Sequence, residues 1–186
     1  MHSFRTRADT VTRPALINRN AVSIAFLTNA RRLRAIVRVI QANTNTNYIT
    51  HSEVIEHRAD HTRRWAHFRR SLLADDIRRA IHRQRRGEGG VLVATRGRSI
   101  VGVAVLLFDL KHRYGIVEDI VINEKYRGLG IGHRLLDGSI RQMRQAELEN
   151  VILESGIRNE SAHAFFQRHG FREAAIMFLR RLETDD

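Results

Sequence analysis

Gly115-Ile116-Val117-Glu118-Asp119-Ile120-Val121-Ile122, then Asn123-Glu124-Lys125-Tyr126, then Arg127-Gly128-Leu129-Gly130-Ile131-Gly132, is the stretch on which the architecture hangs. The first eight residues are rich in β-branched strand formers. Glycines at 128, 130 and 132 break that strand, and Leu135, Leu136, Ile140 and Met143 then recur at helical spacing. A strand that runs through a glycine turn into a helix aims successive backbone N–H groups into one concavity, and the helix N-terminus adds partial positive charge there. A pyrophosphate fits such a place; the same glycines also suit a tight turn that binds nothing. Two other phosphate motifs fail on the residues. A dinucleotide fingerprint needs glycine where His133 stands, and no Gly-Lys-Ser/Thr follows as a P-loop requires.

Upstream of this stretch, Val91-Leu92-Val93-Ala94 and Ile100 to Leu107 read as a hairpin joined by Arg96-Gly97-Arg98. Val22 to Phe26 is a short strand. Thr28 is placed to cap a helix carrying Leu33, Ile36, Val37 and Ile40, and Asn43 to Asn47 reads as a loop. A second helical region is expected from Ser52 to near Gly87, with Trp65, Phe68, Leu72, Leu73, Ile77 and Ile81 as its apolar stripe. Trp65 and Phe68 are read as core first and as a pocket wall second. Downstream, Val151-Ile152-Leu153 is a strand, Asn159 to Arg168 a helix with Ala162, Phe165 and Phe166 inward, and Phe171 to Leu182 one or two closing strands.

The chain has 186 residues, enough for one domain over 21–186, with residues 1–20 expected as an irregular arm around the only proline, Pro14. No apolar run approaches the roughly 20 residues of a membrane span, and residues 1–20 show no signal-like apolar stretch, so a cytoplasmic, non-membrane protein is expected. The chain has no cysteine, which excludes disulfides, thiolate metal sites and a cysteine nucleophile. Residues 1–90 hold 18 Arg against 7 acidic residues, whereas residues 91–186 hold 14 basic and 13 acidic ones, so the net charge of +12 sits almost wholly in the first half. Guanidinium groups favour phosphate and carboxylate partners, which keeps nucleic acid open as a partner. An Arg-rich solvated helix face accounts for the same residues.

The turn Arg127-Gly128-Leu129-Gly130-Ile131-Gly132 matches Arg/Gln-x-x-Gly-x-Gly/Ala, and Asn159-Glu160-Ser161-Ala162-His163-Ala164-Phe165-Phe166-Gln167-Arg168-His169-Gly170-Phe171 resembles Asn-x-x-Ala-x-x-Phe-Tyr-x-x-x-Gly-Phe. On these two motifs the sequence resembles the GCN5-related N-acetyltransferase (GNAT) family over about residues 90–182. The resemblance implies an α/β fold with a mixed, mostly antiparallel sheet of six to seven strands flanked by helices, splayed between the fourth and fifth. It implies acetyl-CoA as donor, an amine on a small molecule or protein as acceptor, and no metal. The backbone of Gly128, Leu129, Gly130, Ile131, Gly132 and His133 would then hold the pyrophosphate, with Arg127 framing the turn. Ile120, Val121 and Ile122 would pair with the pantetheine arm, while Asn159 and Phe166 would meet the cofactor from the opposite side.

Direct transfer needs a neutral amine, hence a proton acceptor. Glu118 is the candidate base, with an ion pair to an Arg as its alternative role. Strict strand alternation turns Asp119 to the other face. The tyrosine that family members usually carry in the late helix is Phe166 here, which cannot supply a proton. Water, Ser155, Ser161 or His163 is left to protonate the thiolate, or the thiolate leaves unaided. A non-catalytic acyl-CoA-binding sensor is the alternative that Phe166 leaves open, beside a nucleic-acid-associated acetyltransferase such as one acting on aminoacyl-tRNA. His57, His61, Glu53 and Asp60 would share a helix face at spacings a metal could use, although a solvated face is the expectation.

Overall fold

Alternation along the strands sorts the apolar residues into two cores, one on each face of a single sheet. The computed structural model describes residues 21–182; the expected N-terminal arm, 1–20, lies outside them. Strands β1 (Val22–Phe26), β2 (Gly89–Arg96), β3 (Ser99–Asp109), β4 (Tyr114–Ile122) and β5 (Asn150–Leu153) lie side by side in chain order. The first three pairings are antiparallel and β4 with β5 is parallel. Helices α1 (Leu33–Asn43) and α3 (Arg69–Gln84) cover one face, packing Ile36, Ile40, Leu73 and Ile77 on Val91, Val93, Val103, Val105 and Val121. Helices α4 (Ile131–Gln145) and α5 (Glu160–Arg168) cover the other, with Leu135, Leu136, Met143 and Phe166 on Leu92, Ala94, Ala104, Leu106 and Val117. The result is a three-layer α/β sandwich.

Three expectations need correcting. The helix expected from Ser52 is two elements: α2 (His51–Ile55), then an irregular segment with left-handed backbone at His57 and Arg63 and a bridge between Ala59 and Trp65, then α3 from Arg69. Trp65 therefore shares no helical stripe with Leu72. Its ring lies 3.3 Å under the Arg69 guanidinium, and Phe68, at the mouth of α3, is 44% exposed rather than core. Asn29, not Thr28, caps the turn leading into α1, its side chain accepting from Arg31 N at 3.0 Å.

The third correction concerns the sheet, which has five strands among the described residues where six to seven were expected. Residues 172–182 form no strand, and Ile176, Met177, Phe178 and Leu182 stand exposed. The stretch Ala174–Leu179 has the apolar composition of a strand but no glycine or Asn/Asp turn that would fold it back on itself. A lone strand laid on the four-residue edge of β5 would gain few ladder bonds.

Candidate active site

The pairing of β4 with β5 lasts only from Tyr114–Asn150 to Val117–Leu153. β5 ends at Leu153, so beyond Val117 the edge of β4 from Glu118 to Ile122 faces a cavity of about 480 Å³ instead of a neighbour, with Glu154, Ser155 and Gly156 on the far side. The splay expected between the fourth and fifth strands is present, and Ile120, Val121 and Ile122 line it. Val121 sends its side chain into the α1/α3 core, while Ile120 and Ile122 pack toward the α4/α5 side.

At one end of the cavity stands the glycine turn. Gly128 and Gly130 have φ of +76° and +71°, a left-handed backbone that suits glycine, and a Cβ at either would meet nothing within 4 Å. Open space lies in front of both. No side chain caps α4, and the first helical bond at this end runs from Arg134 N to Gly130 O at 3.1 Å. The N–H groups of Ile131, Gly132 and His133 thus have no helical acceptor. Gly132 has ordinary geometry, with only van der Waals neighbours for an added Cβ.

Arg127 ties this turn down. Its guanidinium donates to Ile122 O at 3.3 Å and to Asn43 O, at the end of α1, at 2.9 Å. Leu129 is 62% exposed and does not line the cavity. The His133 ring sits between Asp137, 3.1 Å away, and His169, 2.6 Å away. Across the gap, Asn159 at the head of α5 and buried Phe166 also line the cavity, the Phe166 ring meeting Phe165 and Phe171 edge-on.

The other end is built from side chains. On the β3 side, Val105 opposes Asp119 and Leu106 opposes Val117, so Glu118 is the extra residue of a β-bulge. This overturns the alternation argument. Asp119, opposite Val105, lies on the α1/α3 face, and Glu118 reaches that face too, in an ion pair with Arg83 of α3. Both carboxylates line the cavity. Tyr48, in the turn after α1, donates its hydroxyl to Asp119 Oδ1 at 2.9 Å.

Behind them lies a knot of charge. Glu53 is only 5% exposed and accepts from Arg58 Nε at 2.7 Å; Arg58 also donates to Asp76 at 2.7 Å and touches Glu56. Arg69, equally buried, donates to Thr44 Oγ1 at 2.6 Å. Burial, reinforced by the charge of Glu53, pushes the Asp119 carboxyl up to about 7, against the opposing influence of Arg58 and the Tyr48 hydrogen bond. Burial also raises Glu118, with Arg83 pulling the other way. The Glu118 side chain keeps 32% of its surface open, so solvent weakens both effects. Tyr48 is raised well above the usual phenol range, by burial first and by the Asp119 charge second, and it stays a hydrogen-bond donor.

Of the residues considered for protonating a thiolate, Ser155 lines the cavity with its Oγ buried and without a hydrogen-bond partner. His163 is occupied with Gly156 O at 3.0 Å, and Ser161 lies 3.5 Å from Asn159 Oδ1. The residues at spacings a metal could use do not share a helix face. Glu53 on α2 is held by Arg58, and Asp60 in the loop by Thr62 and Arg64. Sequence reasoning missed Tyr48 and Arg83 and misplaced Asp119, because a bulge and contacts 71 and 35 residues apart leave no local pattern.

The sequence pattern of the acetyltransferase (GNAT) family matches residues 53–171, more than half of the chain. An IAA acetyltransferase of Azospirillum brasilense is 32% identical over 82 residues, 44% of this chain and 54% of that protein. An aminoalkylphosphonate N-acetyltransferase of Salmonella typhimurium is 31% identical over 94 residues, 48% of this chain and 61% of that protein. The chain therefore spans between half and two thirds of the length of these relatives. Among solved structures, an aminoglycoside N-acetyltransferase in complex with CoA superposes with a TM-score of 0.66 at 12% identity, over 88% of this chain and 96% of that one, a likeness of fold.

Proposed function

This chain belongs to the acetyltransferase (GNAT) family, and from that premise we propose that it moves an acetyl group from acetyl-CoA to a primary amine by direct attack. One observation carries the reading: a single cavity, opened by the parting of β4 and β5, has unpaired helix-N-terminal amides at one end and two carboxylates at the other. The amides of Gly128, Gly130, Ile131, Gly132 and His133 would bind the pyrophosphate, with the α4 dipole in support. The pantetheine arm would extend along the free edge at Ile120, Val121 and Ile122, with Phe166 and Asn159 opposite. A backbone N–H of β4 would steady the oxyanion formed when the amine attacks the thioester carbonyl. Glu118 or its neighbour Asp119 would take the proton that the amine must lose first.

The acceptor in this reading is an amine on a small molecule or protein, and the cytoplasm is the compartment proposed for the reaction. Among the described residues no helix is long and apolar enough to cross a membrane. An acceptor carried on nucleic acid is the alternative suggested by the Arg-rich first half, and it requires binding that weakens steeply with salt.

Calorimetric titration with acetyl-CoA tests the reading. Wild-type protein is expected to bind. Gly130→Glu, which adds charge as well as a side chain at φ +71°, is expected to lose binding, whereas Gly130→Ala carries the backbone strain without the charge and should lose less. Absence of binding by the wild type would overturn the proposal.

A further inference from the structure

The two carboxylates at the head of β4 are not equivalent. Glu118 is committed to Arg83, a partner that remains cationic at any pH of interest. Asp119 has no cation within ion-pair distance among the described residues, and its one hydrogen-bond partner is the neutral hydroxyl of Tyr48, at 2.9 Å. Both Tyr48 and Asp119 face the cavity. The guanidinium of Arg83 offsets part of the basicity that burial gives Glu118 and holds its negative charge in place. A carboxylate fixed by a phenol is oriented while keeping the rest of its basicity.

We propose that Asp119, oriented by Tyr48, is the catalytic residue that takes the proton from the acceptor amine, and that Glu118, held by Arg83, serves to attract the ammonium ion. The proposal rests on the acetyl-transfer reading above. In the step, R–NH3+ gives one proton to the Asp119 carboxylate and becomes R–NH2. The nitrogen lone pair forms the C–N bond while the carbonyl π pair moves to oxygen. That pair then returns, the C–S bond breaks with its electrons on sulfur, and the nitrogen sheds its extra proton as the amide forms. Of the two protons the amine has lost, one ends on the CoA sulfur and the other goes to solvent.

The groups facing Asp119 come from every element around it: Tyr48 from the turn after α1, Glu53 from α2, Arg58 from the following loop, Arg69 from α3, and Glu118 beside it on β4. Glu53 and Glu118 favour the protonated acid; Arg58 and the Tyr48 hydrogen bond favour the carboxylate. The balance leaves Asp119 basic near neutrality, where a general base works best.

The test uses the full chain and two readouts. Aspartate carboxyl carbons carrying an isotope label are titrated by NMR in protein saturated with CoA, and thiol release from acetyl-CoA is followed across the neutral range with n-propylamine as acceptor. One carboxyl is expected to titrate near neutrality and to vanish in Asp119→Asn. The same variant is expected to lose roughly 100-fold or more in kcat, within the range for a general base, together with the acid limb of the rate profile. Tyr48→Phe should keep that limb but move it to higher pH, because it removes a hydrogen bond to the charged form. Glu118→Gln should keep the limb but move it slightly to lower pH, because it removes a neighbouring negative charge, and should raise KM.

The proposal is overturned if Asp119 titrates in the ordinary carboxylate range, if Asp119→Asn retains the wild-type rate, or if the limb disappears with Glu118→Gln instead. Calorimetry separates the two levels. Proteins that do not bind acetyl-CoA sink the acetyl-transfer reading itself, whereas binding with an unshifted Asp119 sinks only the assignment of the base.

Discussion

One wall of the cleft is made of backbone and the other of side chains. The glycine turn presents N–H groups fixed by the start of α4, and its residues are close in sequence. The opposite wall carries Tyr48 and Asp119, backed by Glu53, Arg58, Arg69 and Arg83; these come from five separate stretches and are held by side-chain hydrogen bonds and ion pairs. A backbone wall tolerates many side chains but few changes at glycine. A side-chain wall fails wherever one charge loses its partner. The same cleft should therefore break in two different ways.

The largest effect is expected from Arg58→Ala, which strands Glu53 in a buried site with Asp76 and Glu56 close by. Removing one partner of a buried ion pair costs about 3–5 kcal/mol, so chemical denaturation should show a loss of that size. A loss under about 1 kcal/mol would mean that water reaches Glu53 and that this wall is softer than its geometry indicates. A smaller effect is expected where the walls meet. A Cβ on Gly156 would lie 2.1 Å from Asn47 O and 2.8 Å from Ile49 O, backbone atoms that cannot swing away. Gly156→Ala should cost about 1–3 kcal/mol, as overpacking does, and raise the KM for the amine more than it weakens CoA binding. Equal effects on both ligands would show that the two walls move together.

The contrast also explains what could be read from the sequence. The strand, glycine turn and helix from Tyr114 to Gln145 were legible because periodicity, β-branching and glycine act within a few residues. The splay was read through resemblance and is realised in the short β4–β5 pairing. Trp65 was misread because its spacing to Phe68 and Leu72 imitates a helix, while the chain at His57 and Arg63 turns left-handed and ends any helix there. Asp119 was misread because alternation holds only for an unbroken ladder, and the extra residue Glu118 is set by pairing with β3, not by its neighbours. Ser155, which lines the cavity with a buried hydroxyl that has no partner among the described residues, was among the residues weighed, but nothing in its neighbourhood distinguished it.

Next in size is a pH effect. The folded Asp119 carboxyl, at about 7, lies above its unfolded value near 3.8. Between those values the folded state holds a proton that the unfolded state has released, so stability falls as pH rises through that window and the loss is complete above it. Asp119→Asn should then be more stable than wild type at pH above 7, on the order of 1 kcal/mol, since one unit of pKa is worth about 1.4 kcal/mol and the open cleft screens part of it. Below the unfolded value the two proteins should melt alike. A variant that is less stable than wild type at every pH would show that Asp119 is ionised and well satisfied in the fold. It would then belong with the structural charges rather than with the chemistry.

The smallest effect is expected outside both walls, where the chain after α5 has strand-like residues and no strand. Phe178 is 88% exposed and Ile176 80% exposed. Side chains so open have little burial to lose, and surface substitutions away from special features change stability by less than about 0.5 kcal/mol. Phe178→Ser and Ile176→Ser should therefore leave the denaturation midpoint where it is. A loss of about 2 kcal/mol, the value of burying one large apolar side chain, would mean that the segment is covered in solution. The strand expected for Phe171 to Leu182 would then be real, and the sheet would extend past β5, shutting the edge of the cleft with side chains rather than leaving it to backbone.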